Sequence, residues 1–305
     1  MSVSRCMSGV GHRGVIARVF GGLGNQMFIY ASARGLAARI RRTLTLDVTS
    51  GFEKDLFERT YRLGAFNIGA SPAPAHDCFD YPGGRLYRSL CIAMNRHRPV
   101  ERRDYLRERH LPASATLDGP FAAQSLYLDG YWQRWEEFAD IERELRDEFT
   151  LRETPTHAVR TLAQIVSSEC SVGMHLRGRY GASSTGKIVA QLPTLPLEYY
   201  RAAISALRGK LESLRFFIFS DGADPRGLLR LCPSAILVSE HCKLAEDYED
   251  LWLMSRCKHH IIANSTFSWW AAWLQESPEH VVVSPNMQKY GQRMSAFPCW
   301  TVLEN

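Results

Sequence analysis

Four stretches of the chain end in polar groups directly after an apolar run: His175-Leu176-Arg177, Ser220-Asp221, Ser239-Glu240 and Asn264-Ser265-Thr266-Phe267-Ser268. A guanidinium just past a buried strand is costly without an anionic partner, and its planar fork holds two phosphate oxygens at once. Arg177 therefore reads as an anion ligand or as half of a structural ion pair. A helix starting at Ser265 offers unpaired backbone N–H groups and a positive dipole end, supplemented by the hydroxyls of Ser265, Thr266 and Ser268. That set suits phosphate oxygens, and it equally suits a plain N-cap. Asp221 can hold a ribose or a base edge, or cap the helix after it. His175 reads first as a satisfied core histidine, and Trp269 and Trp270 as packing residues.

A second group lies near the start. Gly21-Gly22-Leu23-Gly24 resembles half of a dinucleotide-binding turn, with Asp47 at about the spacing of a ribose-binding acid. The last glycine position is taken by Met27, which keeps the helix from approaching the strand as that turn requires and argues against a nicotinamide or flavin site.

The elements that must position these residues follow from periodicity. Val15 to Phe20 predicts a strand, the glycines a turn, Asn25 to about Arg42 a helix, and Thr43 to Leu46 a second strand ending at Asp47. Residues 71–120, rich in Pro, Gly and Arg, read as irregular or insert-like, and Glu136 to Phe149 as a charged helix. Thr154-Pro155-Thr156 supplies a boundary, giving two domains, 1–153 and 154–305. The second half then alternates strand and helix: strands at 171–175, 215–219, 235–238, 260–263 and 281–284, helices at 196–214, 225–231, 245–257 and 265–273. That alternation specifies an α/β fold with a parallel sheet covered on both faces, whose ligands lie at the carboxyl ends of the strands.

With 305 residues, 45% of them hydrophobic, the chain has material for about two cores, which excludes a disordered or fibrous protein. The net charge of +5 is spread along the sequence, with clusters at Arg39, Arg41, Arg42 and at Arg102, Arg103, Arg107, Arg109. These argue for an anionic small ligand more than for nucleic acid. The eight cysteines form no C-x-x-C pair and no cluster with histidine at metal spacing, so neither a zinc site nor a disulfide framework is expected, and a reducing cytosol fits. No apolar run reaches bilayer-spanning length and no signal-peptide core is visible. The expected location is the cytoplasm, with Arg-rich faces able to hold the chain loosely at an anionic inner-membrane surface.

Several blocks occur together and in order: Gly21-Gly22-Leu23-Gly24-Asn25-Gln26-Met27-Phe28 with Tyr30-Ala31, then Gly130-Tyr131-Trp132-Gln133, Phe217-Ile218-Phe219-Ser220-Asp221, Asp250-Leu251-Trp252-Leu253-Met254-Ser255, and Ile261-Ile262-Ala263-Asn264-Ser265-Thr266-Phe267-Ser268-Trp269-Trp270. In these the chain resembles glycosyltransferase family 11, the α-1,2-fucosyltransferases, over about residues 15 to 290. The resemblance implies a GT-B-type arrangement of two Rossmann-like halves with a cleft between them. The C-terminal half would hold GDP-fucose, and the N-terminal half would supply the glycine loop and much of the acceptor surface. It implies transfer of L-fucose with inversion to a glycan hydroxyl, commonly O2 of a terminal β-galactose, without cofactor or metal; the chain has no Asp-x-Asp triplet.

On the same resemblance the donor residues are Gly22, Gly24, Asn25, His175, Arg177, Ser220, Asp221, Asn264, Ser265, Thr266, Phe267 and Ser268, with Arg177 catalytic. Asp129, Tyr131 and Gln133 fall on the acceptor side. The chain departs from the family in one place. Where the motif is written His-x-Arg-Arg-x-Asp, this sequence has His175-Leu176-Arg177-Gly178-Arg179-Tyr180; a one-residue deletion aligns Gly178 and Tyr180 with a frequent Gly-Asp-Tyr continuation and puts Arg179 where the acid belongs, so no role of that acid carries over. No residue announces itself as the base; Asp129, Glu198 and Asp47 are available carboxylates. Two rivals stand beside this expectation, a GDP-sugar-binding relative without catalysis and an NAD-linked α/β enzyme. No protein partner and no nucleic acid are expected.

Overall fold

The computed structural model describes residues 14–112, 115–178, 180–182, 188–191, 194–242, 246–291 and 293–304, with backbone alone for 180–182 and 188–191. It divides into two compact units, Met1–Thr150 and Leu151–Asn305.

The first unit is built on a parallel five-stranded sheet: β1 (Gly14–Arg18), β2 (Thr43–Asp47), β3 (Ser71–Pro72), β4 (Tyr105–Arg107) and β5 (Leu126–Asp129), in the order β3-β2-β1-β5-β4. Val15, Ile16 and Ala17 fill β1, and their burial on both sides is what a strand in the middle of a parallel sheet demands. The crossover from β1 to β2 is α1 (Leu23–Arg39), buried along most of its length. Gly21 makes the turn into it at φ +80°, where a Cβ would also lie within 3.2 Å of Tyr131. The stretch expected to be irregular, 71–120, instead contains β3, β4 and the helix α2 (Gly84–Arg96). These strands are too short to show a period of two, and α2 carries only Gly84, Cys91 and Asn95 fully buried, so its apolar stripe is thin. The expected charged helix begins as a 3-10 turn over Trp135–Ile141 and becomes α3 only at Glu142–Glu148.

After α4 (His157–Ser168), the second unit forms a six-stranded parallel sheet from β6 (Ser171–Leu176), β9 (Arg215–Ser220), β10 (Ile236–Leu237), β11 (His259–Ile261), β12 (Val282–Pro285) and β13 (Thr301–Leu303). A two-stranded antiparallel pair, β7 (Tyr180–Ala182) and β8 (Ile188–Gln191), stands apart from it. The helices are α5 (Leu197–Arg208), α6 (Arg226–Leu231), α7 (Val238–His241), α8 (Asp247–Ser255) and α9 (Thr266–Trp273). Tyr199, Tyr200, Ala203, Ile204 and Leu207 recur on one face of α5 and pack with Val172, Met174, Phe216 and Ile218 of the sheet. The order β10-β9-β6-β11-β12-β13 is the doubly wound order of nucleotide-binding folds, and it reverses between β6 and β11. In the first unit the order reverses between β1 and β5. Among the described residues no helix is long and apolar enough to cross a membrane.

Candidate active site

In the second unit the carboxyl ends of β6, β9 and β11 are neighbours, because β9 and β11 flank β6 in register. His175 is the last buried residue of β6, and its carbonyl accepts the Tyr200 hydroxyl at 2.9 Å. Its ring faces Phe267, centroid to centroid 5.7 Å, and Nδ1 is buried with no hydrogen-bond partner among the described residues. Burial pushes its pKa down to about 4; Asp221 opposes the shift and Arg177 reinforces it. The imidazole is thus neutral at pH 7, and the expectation of a satisfied core histidine is corrected. Arg177 donates through Nη1 to the Asn264 carbonyl, bridging the two sides of the switch point. Gly178 donates its N–H to Asp221 Oδ1, and a Cβ there would lie 3.0 Å from that oxygen. This close approach favours a residue without a side chain at position 178. Arg179 lies outside the described residues.

At the start of α9, Ser265 is the N-cap, its hydroxyl accepting from Phe267 N at 3.3 Å. The Ser268 hydroxyl is buried and turned inward, accepting from Ala263 N at 3.2 Å and donating to Ser265 O at 3.3 Å. Two of the three hydroxyls expected at a phosphate therefore serve the backbone, which leaves Thr266 and the helix N–H groups. Ser220 donates to Ala223 O at 3.0 Å and supports the turn after β9. Ser239 and Glu240 do not end a strand, since β10 stops at Leu237 and both lie exposed on α7. Trp269 and Trp270 are fully buried packing residues.

Sequence reasoning quoted Asp250 inside a motif and gave it no role. Burial raises its pKa to about 7, and Asp247 and Asp221 add to the rise, so the carboxyl is about half protonated at pH 7. Four acids in the five residues 246–250 at a helix start were the available signal.

The first unit gathers a different set. Gln133 Nε2 donates to Asn25 Oδ1 at 2.9 Å, so the glycine-loop and Gly130-to-Gln133 blocks meet. Gln26, fully buried, binds the carbonyls of Gly21 and Thr60, each at 2.9 Å. Gly22 caps α1 and Gly24 lies buried in its first turn. The Tyr131 ring packs tilted against Phe20 with centroids 4.6 Å apart, and its N–H donates to Glu108 at 2.7 Å. Trp132 sits at φ +51°, an unusual backbone for a bulky residue, held by Ser32 Oγ on its carbonyl at 2.9 Å.

Asp129 and Asp47 are not available carboxylates. Asp47, fully buried, accepts Thr49 N at 3.1 Å, Ser50 N at 2.9 Å, and the hydroxyls of Ser50 and Tyr127 at 2.5 Å each. Asp129 meets Arg18 at 3.2 Å, Arg88 at 3.4 Å, Arg107 at 3.3 Å and the Tyr105 hydroxyl at 2.9 Å. Burial alone would raise its pKa, but Arg18, Arg88, the Tyr105 hydroxyl and Arg107 hold it below the usual carboxylate range, the opposite of what a general base needs. Glu198 is exposed in the first turn of α5. Cys78, Cys170, Cys232, Cys242, Cys257 and Cys299 are free. Among the described residues no three His, Cys, Asp or Glu side chains are grouped to hold a metal.

A doubly wound sheet with polar groups gathered at its switch point defines a nucleotide-binding class of α/β protein. The family described as glycosyl transferase family 11 matches over residues 103–301, and the chain belongs to it. An alpha-1,2-colitosyltransferase of Escherichia coli is 28% identical over 307 residues, covering 95% of this chain and 99% of that protein. Galactoside alpha-(1,2)-fucosyltransferase 1 of Aotus azarae is 27% identical over 195 residues, 58% of this chain and 48% of that protein. Among solved structures, a mutant of FUT1 from Arabidopsis thaliana in complex with GDP aligns with a TM-score of 0.51 at 16% identity, covering 96% of this chain and 74% of that one. At that identity the likeness establishes a shared fold.

Proposed function

We propose that this chain is an inverting, metal-independent fucosyltransferase that moves L-fucose from GDP-fucose to O2 of a terminal β-galactose in polysaccharide or oligosaccharide synthesis. The observation that carries the reading is the switch point of the second unit, where Arg177 is fastened to the Asn264 carbonyl at the amino end of α9. As the bond from C1 to the diphosphate oxygen breaks, negative charge grows on the leaving group while the sugar becomes oxocarbenium-like. A fixed guanidinium and the N–H groups of α9 are preorganised for that charge, and losing one such donor typically costs about 3–4 kcal/mol in the barrier. The neutral His175 and the Asp221 carboxylate supply the mixed acceptors and donors that a nucleobase edge or ribose takes. The GT-B arrangement, with donor on the second unit and acceptor on the first, belongs to the same proposal. So does a cytoplasmic location with loose attachment to anionic membrane, supported by the exposed Arg85, Leu86 and Leu90 of α2.

GDP titrated calorimetrically into the chain tests the donor site, and transfer from GDP-fucose to β-galactosides in excess EDTA, with linkage analysis of the product, tests the reaction. We expect binding, and activity that survives chelation. Absence of GDP binding at millimolar concentration sinks the donor site, and activity that EDTA abolishes and Mn²⁺ restores sinks metal independence. A second donor is favoured by the 28% identity to a colitosyltransferase across nearly the whole chain. Colitose is fucose without the 3-hydroxyl, so GDP-colitose run against GDP-fucose decides between them.

A further inference from the structure

At the carboxyl edge of the first unit's sheet, where strand order reverses between β1 and β5, three arginines converge on one carboxylate. Arg18 ends β1, Asp129 ends β5, and Arg107 ends β4 directly opposite Asp129 in register, while Arg88 reaches in from α2. One carboxylate balances one guanidinium. The second acid nearby, Asp47, is spent on Thr49, Ser50 and Tyr127 and meets no arginine in its hydrogen bonds.

The three arginines are not equivalent. Arg18 uses all of its nitrogens: Nε on Ser50 Oγ at 3.1 Å, one Nη on Asp129, the other on the Ser50 carbonyl at 2.9 Å. Arg88 does the same, with Nε on Tyr105 at 2.9 Å, one Nη on Ser50 Oγ at 3.5 Å and the other on Asp129 at 3.4 Å. Arg107 is held by Nε alone, at 3.3 Å from Asp129, with its side chain 26% exposed. Its two Nη groups meet no hydrogen-bond acceptor among the described residues. The Nε contact is an ion pair without hydrogen-bond geometry, so charge draws the guanidinium to Asp129 and its Nη fork stays available to carboxylates and phosphates, which take such a fork bidentately. Burial lowers its pKa, Asp129 and Tyr105 oppose the shift, and Arg109 and Arg88 reinforce it.

We infer that Arg107, on the platform of Arg18, Arg88 and Asp129, is an anion-binding subsite that takes a carboxylate or phosphate group carried by the glycan acceptor. The assignment to the acceptor rests on the proposed function; the anion site itself does not. A ligand anion would complete the charge balance that Asp129 leaves open, and discrimination between acidic and neutral acceptors would follow from the first unit alone.

The test uses the full chain with and without saturating GDP, so that GDP occupies any diphosphate site before an anion is added. D-glucuronate and inorganic phosphate are titrated at low ionic strength into wild type, Arg107→Ala and Arg107→Lys. We expect at least one of the two to bind in the millimolar range with GDP present, which also tells sugar carboxylate from phosphate. Arg107→Ala should weaken that binding about tenfold or more, and Arg107→Lys should fall between, since it keeps charge and loses the fork. The anion that binds should inhibit transfer competitively against acceptor and not against GDP-fucose. Binding of neither anion to wild type, equal binding by Arg107→Lys and wild type, or competition with GDP-fucose overturns the inference. A chain that fails to bind GDP defeats the proposed function instead, and the anion titration without GDP still decides this one.

Discussion

Between β1 and β5, one carboxylate holds three guanidinium groups; between β6 and β11, one guanidinium is held by a backbone carbonyl beside a histidine with an unpartnered nitrogen. Both crevices are topological switch points of parallel sheets, so the backbone places groups similarly in each. What differs is how charge is compensated. In the first unit three guanidinium groups share one carboxylate, which binds the strand ends together and leaves surplus positive charge and the Arg107 fork open. In the second the polar groups are fixed through main-chain atoms, which keeps His175 and the amino end of α9 unspent for a ligand. A crevice whose side chains hold one another ties strand ends together and offers a ligand only its surplus charge; one fixed through the main chain keeps its polar side chains for a ligand as well.

Removing the hub of the first crevice should have the largest effect. Asp129→Ala leaves three arginines facing one another without their counter-charge, and loss of one partner from such a buried pair costs about 3–5 kcal/mol. Urea unfolding followed by fluorescence should show that loss, with GDP affinity of the folded protein unchanged because the nucleotide groups proposed at His175, Arg177, Asp221 and the start of α9 belong to the second unit. Wild-type stability in Asp129→Ala would mean that the cluster is held by packing and not by charge.

The matching change in the second crevice should touch rate and spare stability. Arg177→Lys keeps the charge and loses the bidentate fork, so kcat with saturating GDP-fucose should fall by about 3–4 kcal/mol worth of barrier, the scale of a lost oxyanion donor. Unfolding should be unaffected within a few tenths of a kcal/mol. If Arg177→Lys turned over like wild type, the chemistry would have to be centred elsewhere in the crevice.

How much of this was legible in the sequence follows the same division. The second unit could be read closely because its strands are short apolar runs separated by amphipathic helices, and the strand-end rule then selected His175, Arg177, Asp221 and Asn264 without any contact being known. Within 71–120 the signal failed. β4 is three residues long and one of its ends is an arginine, so no periodicity marks it, and its identity as a strand depends on pairing with β5. The arginine run at 102–109 was visible, but its sorting was not. Arg103 is buried against the carbonyls of Arg98, Arg96 and His110, whereas Arg107 is drawn to Asp129. Composition counts charges; only tertiary structure decides which of them are already spent.

Acid should weaken the second unit through its histidines. Burial holds His175 and His260 at about 4, below the ordinary value of 6.5, so between pH 6.5 and 4 the unfolded chain binds more protons than the native one. Stability from each is fully present above pH 6.5 and drains as pH falls toward 4, by about 3 kcal/mol per histidine at most. His260 sits between His280 at 2.8 Å and the Met254 carbonyl at 2.9 Å, away from the crevice. His260→Gln should therefore flatten the pH dependence of urea unfolding by up to one proton across that window while GDP binding keeps its own pH profile. An unchanged slope would show that His260 is protonated in the native state.

Asp250 should contribute with the opposite sign and the smallest size. Its native pKa of about 7 lies above the ordinary carboxylate value of 3.8, so between those values the native state binds the extra proton and stability falls as pH rises. Burial is the first cause, with Asp247 and Asp221 behind it, and an amide in its place removes the ionisation without removing the volume. Asp250→Asn should be no more stable than wild type at pH 4 and about 1–2 kcal/mol more stable at pH 8, allowing for partial screening by solvent. The net acid sensitivity of the unit should then steepen, because the term that had offset the histidines is gone. Equal stability of the two proteins at pH 8 would mean that Asp250 ionises freely, and that the crevice beside Asp221 is open to water at that point rather than closed by the start of α8.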